Sequence, residues 1–386
     1  MRVLVAPDSF KGSLTSVAVA RALAEGWRRA RPDDDLRLVP LADGGEGTLD
    51  ALLAAGGWQA LAAAAQDALG RPVEARFLRD DAGLGRAVVE LAAASGLSLV
   101  APDDRDALTA STFGTGQVLA AAIGLGCREI RLGVGGSATT DGGAGLLTAL
   151  GARFLDASGA DVPPGGAGLE RLARIDLDDL SPALAEVSLT IASDVTNRLL
   201  GEHGAAATYG PQKGASADDV RRLDRALARY ADVLEATTGR VVRDVPGAGA
   251  AGGTTAGLLA IADRFASLSA RPGVGEVMGL AGFDAALQHS DLVLTGEGRV
   301  DAQTRFGKTA QGVAERASAA GVPCLCFGGG VTPEGAAVLA AAGAIAIPVV
   351  ETPTTVEAAM AAGPGPVERA AERTARLVGL LGLLPR

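Results

Sequence analysis

The two ends of the chain share one pattern, an apolar strand followed by a short loop and an amphipathic helix. RVLVA at 2–6 leads through PDSFKGS into a helix expected at 15–30, where Val19, Leu23 and Trp27 recur at helical spacing. The alternation returns near the C-terminus, in DLVLTGEG, VPCLCFGGG and AIAIPVV and the helical segments between them. Strands that alternate with helices form parallel sheets covered by helices. We therefore expect both chain ends to build one parallel-sheet domain.

The middle of the chain follows a different pattern. Between about 59 and 91, short strands joined by turns such as LGRP and DDAGLG indicate an antiparallel ribbon. A length of 386 residues also favours two domains over one. The sequence predicts two α/β domains, in which a discontinuous Rossmann-like parallel-sheet domain (1–57 and 286–386) is interrupted by an inserted mixed α/β domain (58–285).

Composition excludes several classes of partner. The net charge is −10 without a basic block, which argues against nucleic-acid binding. No run reaches the ~20 uncharged apolar residues of a membrane helix, and the first residues lack a signal-peptide pattern. Three cysteines cannot form a complete disulfide set. We expect a cytoplasmic protein that acts on small molecules, either as a monomer or as a homodimer.

Lysine is rare and placed unusually. Only three of the 35 basic residues are Lys, and Lys11, Lys213 and Lys308 each have Gly beside them in loop-like sequence. Because a compact ammonium suits different sites from the planar guanidinium of Arg, we interpret these three as functional. The alternative is an Arg-rich composition in which the few lysines fall anywhere. The chain's single Asn, Asn197, lies in ASDVTN.

Five predicted strands end in loops that carry a carboxylate within a few residues. The loops are PDSFKGS, DGGEG, GGSATTDGG, SDVTN and GEGRVD. In open α/β sheets, ligands bind outside the carboxyl ends of the strands, so these loops are expected to converge. Helix capping by Asp or Ser, and an internal ion pair of Arg299 with a neighbouring acid, are the structural alternatives. The converging candidates are Asp8, Lys11, Asp43, Glu46, Asp194, Asn197, Glu297, Arg299 and Asp301.

The stretch EIRLGVGGSATTDGGAGLLTAL at 129–150 starts as a strand and ends as a helix, with little side-chain bulk between. A glycine loop that enters a helix can bind anions through backbone N–H groups. The predicted phosphate ligands are Gly135, Gly136, Ser137, Thr139 and Thr140, with Asp141 as a candidate Mg²⁺ ligand. A tight strand–helix turn whose glycines serve packing is the alternative.

The sequence lacks other familiar motifs for nucleotide binding and for nucleophilic catalysis. FGKT at 306–309 resembles the end of a Walker A loop, but Ala302 stands where that motif needs Gly. A GxGxxG fingerprint with the acidic residue that binds the ribose is also missing, and the two His residues give no obvious Ser-His-Asp triad. Phosphate-binding loops, spare carboxylates and isolated ammonium groups together indicate phosphoryl transfer.

Six motifs in this order resemble the bacterial glycerate kinase family of the glycerate 2-kinase type. They are APDSFKGSLT, LADGGEGT, GVGGSATTDGGAG, ASDVTN, GEHGAA-x-x-YGPQKGA and VLTGEGRVDAQTRFGKTAQGVA. The resemblance implies two α/β domains and phosphorylation of D-glycerate with ATP and Mg²⁺, at the 2-hydroxyl to give 2-phospho-D-glycerate and ADP. The chain departs from the family pattern at Arg198, where the family has Pro.

Within that reaction, we assign individual roles as hypotheses of our own. Asp194 is the expected base at the glycerate hydroxyl. Lys11, Lys213 and Lys308 are expected to hold the glycerate carboxylate and the moving phosphoryl charge, in an order that the sequence does not fix. The expected substrate-binding residues are Asp8, Ser9, Asn197, Arg299 and Asp301, and the candidate Mg²⁺ ligands are Asp43, Glu46, Asp141 and Glu297.

Two alternatives stay open at this point. A kinase that gives 3-phosphoglycerate, or that acts on another small hydroxy acid, would have the same fold. A sensor that binds a sugar acid or nucleotide without turnover would belong to a different class, and ATP consumption that depends on glycerate would separate it from a kinase.

Overall fold

The computed structural model describes residues 1–305 and 309–381, in which helices alternate with strands. The strands are β1 (Arg2–Val5), β2 (Asp35–Leu38), β3 (Trp58–Gln66), β4 (Pro72–Asp80), β5 (Arg86–Glu90), β6 (Glu129–Gly133), β7 (Arg153–Asp156), β8 (Leu172–Asp176), β9 (Ser188–Ala192), β10 (Ser267–Arg271), β11 (Leu292–Val300), β12 (Cys324–Val331) and β13 (Ala344–Pro348). The helices are α1 (Ser16–Ala30), α2 (Thr48–Ala55), α3 (Ala92–Ser95), α4 (Phe113–Gly124), α5 (Ala144–Ala149), α6 (Ala205–Tyr209), α7 (Ala217–Thr238), α8 (Ala250–Ala260), α9 (Gly273–Leu280), α10 (Phe283–Leu287), α11 (Thr309–Ala319), α12 (Pro333–Ala341), α13 (Val356–Ala361) and α14 (Gly365–Leu381).

Contacts divide the chain into two compact units. Unit 1 comprises Met1–Asp43, Asp50–Gly56 and Val274–Arg386, and unit 2 comprises Gly44–Leu49 and Gly57–Gly273. The division at 57/58 and 285/286 stays a prediction, and the contacts assign 274–285 to unit 1.

Unit 1 is built on a five-stranded sheet in the order β13-β12-β11-β1-β2, in which every pairing is parallel. The apolar residues of β1 are fully buried, as expected for a parallel strand covered on both faces. The parallel-sheet fold class predicted from the alternating pattern is confirmed. Its strands come from both ends of the chain, because β11 pairs with β1 across most of the sequence.

Helix α1 covers this sheet with the face that the sequence predicts. Val19, Leu23 and Trp27 are fully buried, and the helix begins where the Thr15 hydroxyl accepts a hydrogen bond from the amide of Ala18. A Ser or Thr at this position satisfies one of the amides that the first helical turn leaves unpaired. The spacing of the apolar residues determines which face of α1 is buried, and the Thr15 cap determines where the helix begins.

Unit 2 contains a six-stranded mixed sheet in the order β10-β9-β6-β5-β4-β3. The four strands from β10 to β5 are parallel, whereas β4 and β3 add an antiparallel ribbon at one edge. This ribbon is the one predicted between 59 and 91, and β7 pairs with β8 as a separate hairpin. The predicted mixed α/β class of the middle section is confirmed.

The helices of the described part are all too short or too polar to cross a membrane.

Close packing of two helices in unit 1 gives a stability prediction. A Cβ at Gly26 of α1 would lie 2.0 Å from the carbonyl oxygen of Glu368 in α14, so Gly26→Ala forces the helices apart. We expect a loss of about 1–3 kcal/mol in the free energy of unfolding, measured by urea denaturation. Gly279→Ala in α9, where a Cβ meets no atom within 4 Å, is the matched control and is expected to be neutral or stabilising. Equal stabilities for the two variants would contradict the packing argument.

Candidate active site

In unit 1, the chain leaves β1 and turns back at once. The amide of Asp8 donates to the carbonyl of Gly296 in β11 at 2.8 Å, so the residue stays at the carboxyl end of the sheet. Phe10 and Leu14 then close a tight turn through backbone hydrogen bonds of 2.8 and 2.9 Å. Lys11 lies in this turn and is exposed. The turn therefore presents an ammonium group to solvent close in sequence to a carboxylate.

The Asp8 carboxylate is held by two donors. Its Oδ2 accepts from the Thr309 hydroxyl at 2.6 Å, and its Oδ1 accepts from the Ser9 amide at 2.6 Å. Burial, and secondly the like charge of Asp43, raise the pKa of Asp8 to about 6. A carboxylate shifted in this way is typical of a functional site. The structure thus brings Asp8 and Asp43 together, and Thr309 is a partner that the sequence analysis missed.

The carboxyl end of β11 supplies the remaining predicted residues of unit 1. Glu297 is buried and accepts from the Thr304 hydroxyl at 2.6 Å. Arg299 and Asp301 form an ion pair at 2.9 Å, which is the structural alternative that the sequence left open. Lys308 lies outside the described residues.

The glycine stretch of unit 2 follows β6, and its glycines make room for neighbouring backbone and rings. A Cβ at Gly135 would lie 2.5 Å from the Cα of Gly45, and one at Gly142 would lie 2.5 Å from the ring of Tyr230. Gly142 also has a φ of +66°, in the left-handed region that favours Gly. Packing alone therefore explains these glycines, which is the alternative that the sequence analysis set against a phosphate cradle.

Asp141 is fully buried, and its carboxylate collects four hydrogen bonds. Oδ2 accepts from the amide and the hydroxyl of Thr112, both at 2.8 Å, and from the amide of Gly145 at 3.2 Å. Oδ1 accepts from the amide of Gly143 at 3.1 Å. Burial raises the pKa of Asp141, and these donors oppose that rise. The carboxylate bonds amides at the start of α5 and anchors Thr112, which favours a structural role, and its assignment as a Mg²⁺ ligand stays a prediction.

The hydroxyl groups of the same stretch also face inward. Thr139 and Thr140 are fully buried, and Ser137 is 8% exposed. The hydroxyls of these threonines are therefore shielded from solvent, and their role as phosphate ligands stays a prediction. Gly135 is half-buried and Gly136 is exposed, so the accessible part of the loop is the backbone at these two glycines.

Lys213 lies beneath this loop. It is 2% exposed, and its Nζ donates to the Ser137 hydroxyl at 2.9 Å and to the Thr139 carbonyl at 2.6 Å. Burial lowers the pKa of Lys213 to about 7, while the charge of Asp141 acts in the opposite direction. The ammonium group is therefore engaged inside unit 2, and its assignment as a substrate-holding cation stays a prediction.

Two further predicted residues follow β9. Asp194 is half-buried, and its Oδ1 accepts from the amide of Gly273, the first residue of α9, at 3.0 Å. The amide group of Asn197 is engaged inside its own loop, since its Nδ2 donates to the His203 carbonyl at 2.7 Å and its Oδ1 accepts from the Tyr209 hydroxyl at 2.9 Å. Asn197 therefore orders the loop, and its assignment to substrate binding stays a prediction.

The predicted Mg²⁺ ligands come from both units, and their joint role stays a prediction. Asp43 and Glu297 belong to unit 1, whereas Glu46, which is exposed, belongs to unit 2 together with the buried Asp141. Within residues 1–305 and 309–381, no three His, Cys, Asp or Glu side chains are close enough to share a metal ion. Two carboxylates are nevertheless sufficient for Mg²⁺ when phosphate oxygens and water complete its shell.

Glu90 is a strand-end carboxylate that the sequence analysis missed. It ends β5, is 7% exposed, and its Oε1 accepts from the amide of Leu49 at 2.7 Å. The criterion applied to the other five strands, a carboxylate within a few residues of the strand end, also fits Glu90, because it is the last residue of the predicted strand β5.

The role of Asp141 can be tested by Asp141→Asn. The side-chain NH₂ group of Asn would face the N–H and O–H donors that now bond the Asp141 carboxylate. We therefore expect a loss of about 2–4 kcal/mol in the free energy of unfolding. The measurement is the unfolding midpoint with and without Mg²⁺. A variant of normal stability that needs more Mg²⁺ for activity would show instead that Asp141 is a metal ligand.

The pKa of Asp8 can be measured directly. The side-chain carboxyl ¹³C resonance of the ligand-free protein is expected to titrate near pH 6. Asp43→Asn removes the like charge and should lower that midpoint, leaving the part of the rise that burial causes. A wild-type midpoint near the ordinary value of about 4 would contradict the described environment of Asp8.

Comparisons with known proteins agree with the sequence resemblance. Residues 3–379 match the family model of the glycerate kinase family. A glycerate kinase of Halalkalibacterium halodurans is 45% identical over 85% of each chain, and the glycerate 2-kinase of Escherichia coli K12 is 41% identical over 86% of each. A crystal structure from Salmonella typhimurium LT2, described as a glycerate kinase 2, aligns over 100% of both chains with a TM-score of 0.84 at 39% identity. The chain belongs to the glycerate kinase family.

Proposed function

We propose that this protein transfers the γ-phosphoryl group of ATP to the 2-hydroxyl of D-glycerate, giving 2-phospho-D-glycerate and ADP. Membership of the glycerate kinase family supports the activity, and the printed name of the Escherichia coli relative supports the 2-position. The structural observation that carries the proposal is the pair Asp8 and Asp43, since burial and secondly the like charge of Asp43 raise the pKa of Asp8.

A divalent cation relieves the repulsion between two such carboxylates. Phosphoryl transfer requires a metal ion that neutralises the phosphate oxygens, and Mg²⁺ prefers oxygen ligands from one or two carboxylates. Asp8 and Asp43 would hold Mg²⁺, which supplies charge neutralisation when it is bound with ATP. The Thr309 hydroxyl and the Ser9 amide orient Asp8 for that task. This assignment keeps Asp43 from the four ligands predicted from the sequence and adds Asp8.

The phosphates of ATP and the carboxylate of glycerate are anions, which need hydrogen-bond donors or cations to bind them. In unit 2, the backbone of Gly135 and Gly136 is the accessible part of the glycine loop, and we assign it to the phosphates of ATP. In unit 1, the exposed ammonium of Lys11 is assigned to the glycerate carboxylate or the transferred phosphoryl group. We keep two predicted roles as proposals, that of Ser9 in substrate binding and that of Glu46 as a Mg²⁺ ligand.

The glycerate hydroxyl must lose a proton during transfer. Asp194 is half-buried at the carboxyl end of β9, with its Oδ1 bonded to the Gly273 amide. This bond fixes the orientation of the carboxylate, as a general base requires. We assign Asp194 as the proton acceptor.

Asp194→Asn tests this assignment. Loss of the base is expected to lower kcat by about 10²–10⁴-fold, with smaller changes in KM for ATP and glycerate. Asp224→Asn is the matched control, because Asp224 Oδ1 also accepts one backbone amide, that of Gly201 at 3.0 Å, within unit 2. It should retain wild-type kcat. Near-normal turnover by Asp194→Asn would rule out its role as base.

The reaction itself is tested with purified protein, D-glycerate and Mg·ATP, by following ADP release and then adding enolase. Immediate turnover by enolase identifies 2-phosphoglycerate, as we expect. ADP release without direct enolase turnover would show transfer to another position. The absence of glycerate-dependent ADP release would contradict the kinase and favour the sensor.

A further inference from the structure

The buried ammonium of Lys213 has no catalytic task in the reaction above. Its partners in the described part of the chain are the Ser137 hydroxyl and the Thr139 carbonyl, and the described carboxylates all lie beyond ion-pair distance. Enclosing a charged group without a carboxylate is costly, and an apolar side chain of the same length would avoid that cost. The physical effect of Lys213 is therefore on the two residues that it holds.

Those residues border the accessible turn of the glycine loop. Ser137 directly follows Gly135 and Gly136, the half-buried and exposed glycines after β6. On one side the turn is fixed by backbone hydrogen bonds, from the amide of Leu97 to the Gly136 carbonyl at 2.8 Å and from the amide of Ala138 to the Ser95 carbonyl at 2.9 Å.

Lys213 fixes the turn from the interior. Its Nζ donates to the Ser137 hydroxyl and to the Thr139 carbonyl. These two residues lie where the loop changes from the exposed Gly136 to buried residues. Lys213 itself belongs to a short helical turn, Pro211–Lys213, that ends at Gly214 in a left-handed conformation. Because this helical turn holds Lys213 in place, the two hydrogen bonds from its ammonium group restrict the φ and ψ angles of the glycine turn that Ser137 follows.

We infer that Lys213 is a positioning residue, which fixes the backbone of Gly135 and Gly136 in the shape that receives the phosphates of ATP without contacting the nucleotide. The inference rests on the proposed function, since it takes that turn as the phosphate site. Misplacement of binding groups by about 1 Å can cost about 10²-fold, so a support beneath the turn has a measurable effect.

The test is Lys213→Met, which keeps the length of the side chain and removes its donors. We expect the Kd of a non-hydrolysable ATP analogue, measured by calorimetry, to rise by about tenfold or more. The KM for ATP should rise in step, and the KM for glycerate should stay within about threefold of wild type. The unfolding midpoint is measured as well, because Met removes the cost of burying an ammonium group but takes the donor from the Thr139 carbonyl and the positive charge from near Asp141. Arg229→Met is the control, since it removes a bond from an Arg Nε to the Leu172 carbonyl elsewhere in unit 2.

A double-mutant cycle shows whether Lys213 acts through the loop. Ser137→Ala should weaken analogue binding in the wild-type background and have little further effect with Met at position 213. Equal effects of Ser137→Ala in both backgrounds would overturn the inference. A fall in kcat without weaker analogue binding would overturn it as well, because it would indicate direct contact with the reacting groups.

The assay distinguishes this inference from the proposed function. Wild-type protein that binds the analogue but releases no ADP with glycerate would contradict the proposed function, while the comparison with Lys213→Met would still decide the role of Lys213. Lys213→Met protein that unfolds at a lower temperature but binds the analogue normally would show a purely structural role and overturn the inference.

Discussion

The glycine loop of unit 2 depends on the buried carboxylate of Asp141. Its hydrogen bonds to Thr112, Gly143 and Gly145 satisfy the amides at the start of α5 and tie that start to α4. A helix N-terminus attracts an anion, and here a side chain of the protein fills that place. The accessible part of the loop is then the turn at Gly135 and Gly136, which is why we propose that turn as the phosphate site.

Much of the fold could be predicted because the signals are local. The alternation of strand, loop and helix predicted a parallel sheet from both chain ends, and the spacing of Val19, Leu23 and Trp27 predicted the buried face of α1. The antiparallel ribbon of β3 and β4 followed from its turns. Periodicity and turn chemistry act over a few residues, so the sequence reports them directly.

The direction of polar side chains could not be predicted in the same way. Thr139 and Thr140 read as phosphate ligands because hydroxyls beside glycines have that chemistry, yet both are buried. Their burial involves distant neighbours such as Gly252 and Lys213, which the sequence does not place next to them. Asp8 likewise takes its orientation from a hydroxyl more than 300 residues away, Thr309. Strand-end position predicted where carboxylates lie, but non-local contacts decide which of them remain available to a ligand.

Residue-resolved amide hydrogen exchange, with and without Mg·ATP, tests the central claim that the loop has a buried, prearranged half and an accessible half. The account predicts that the amides of 139–145 are protected in the free protein and change little with nucleotide. The amides of Gly135 and Gly136 should exchange rapidly in the free protein and become protected when nucleotide binds. Fast exchange of 139–145 in the free protein, with protection on binding, would contradict it and restore the whole loop as the phosphate site.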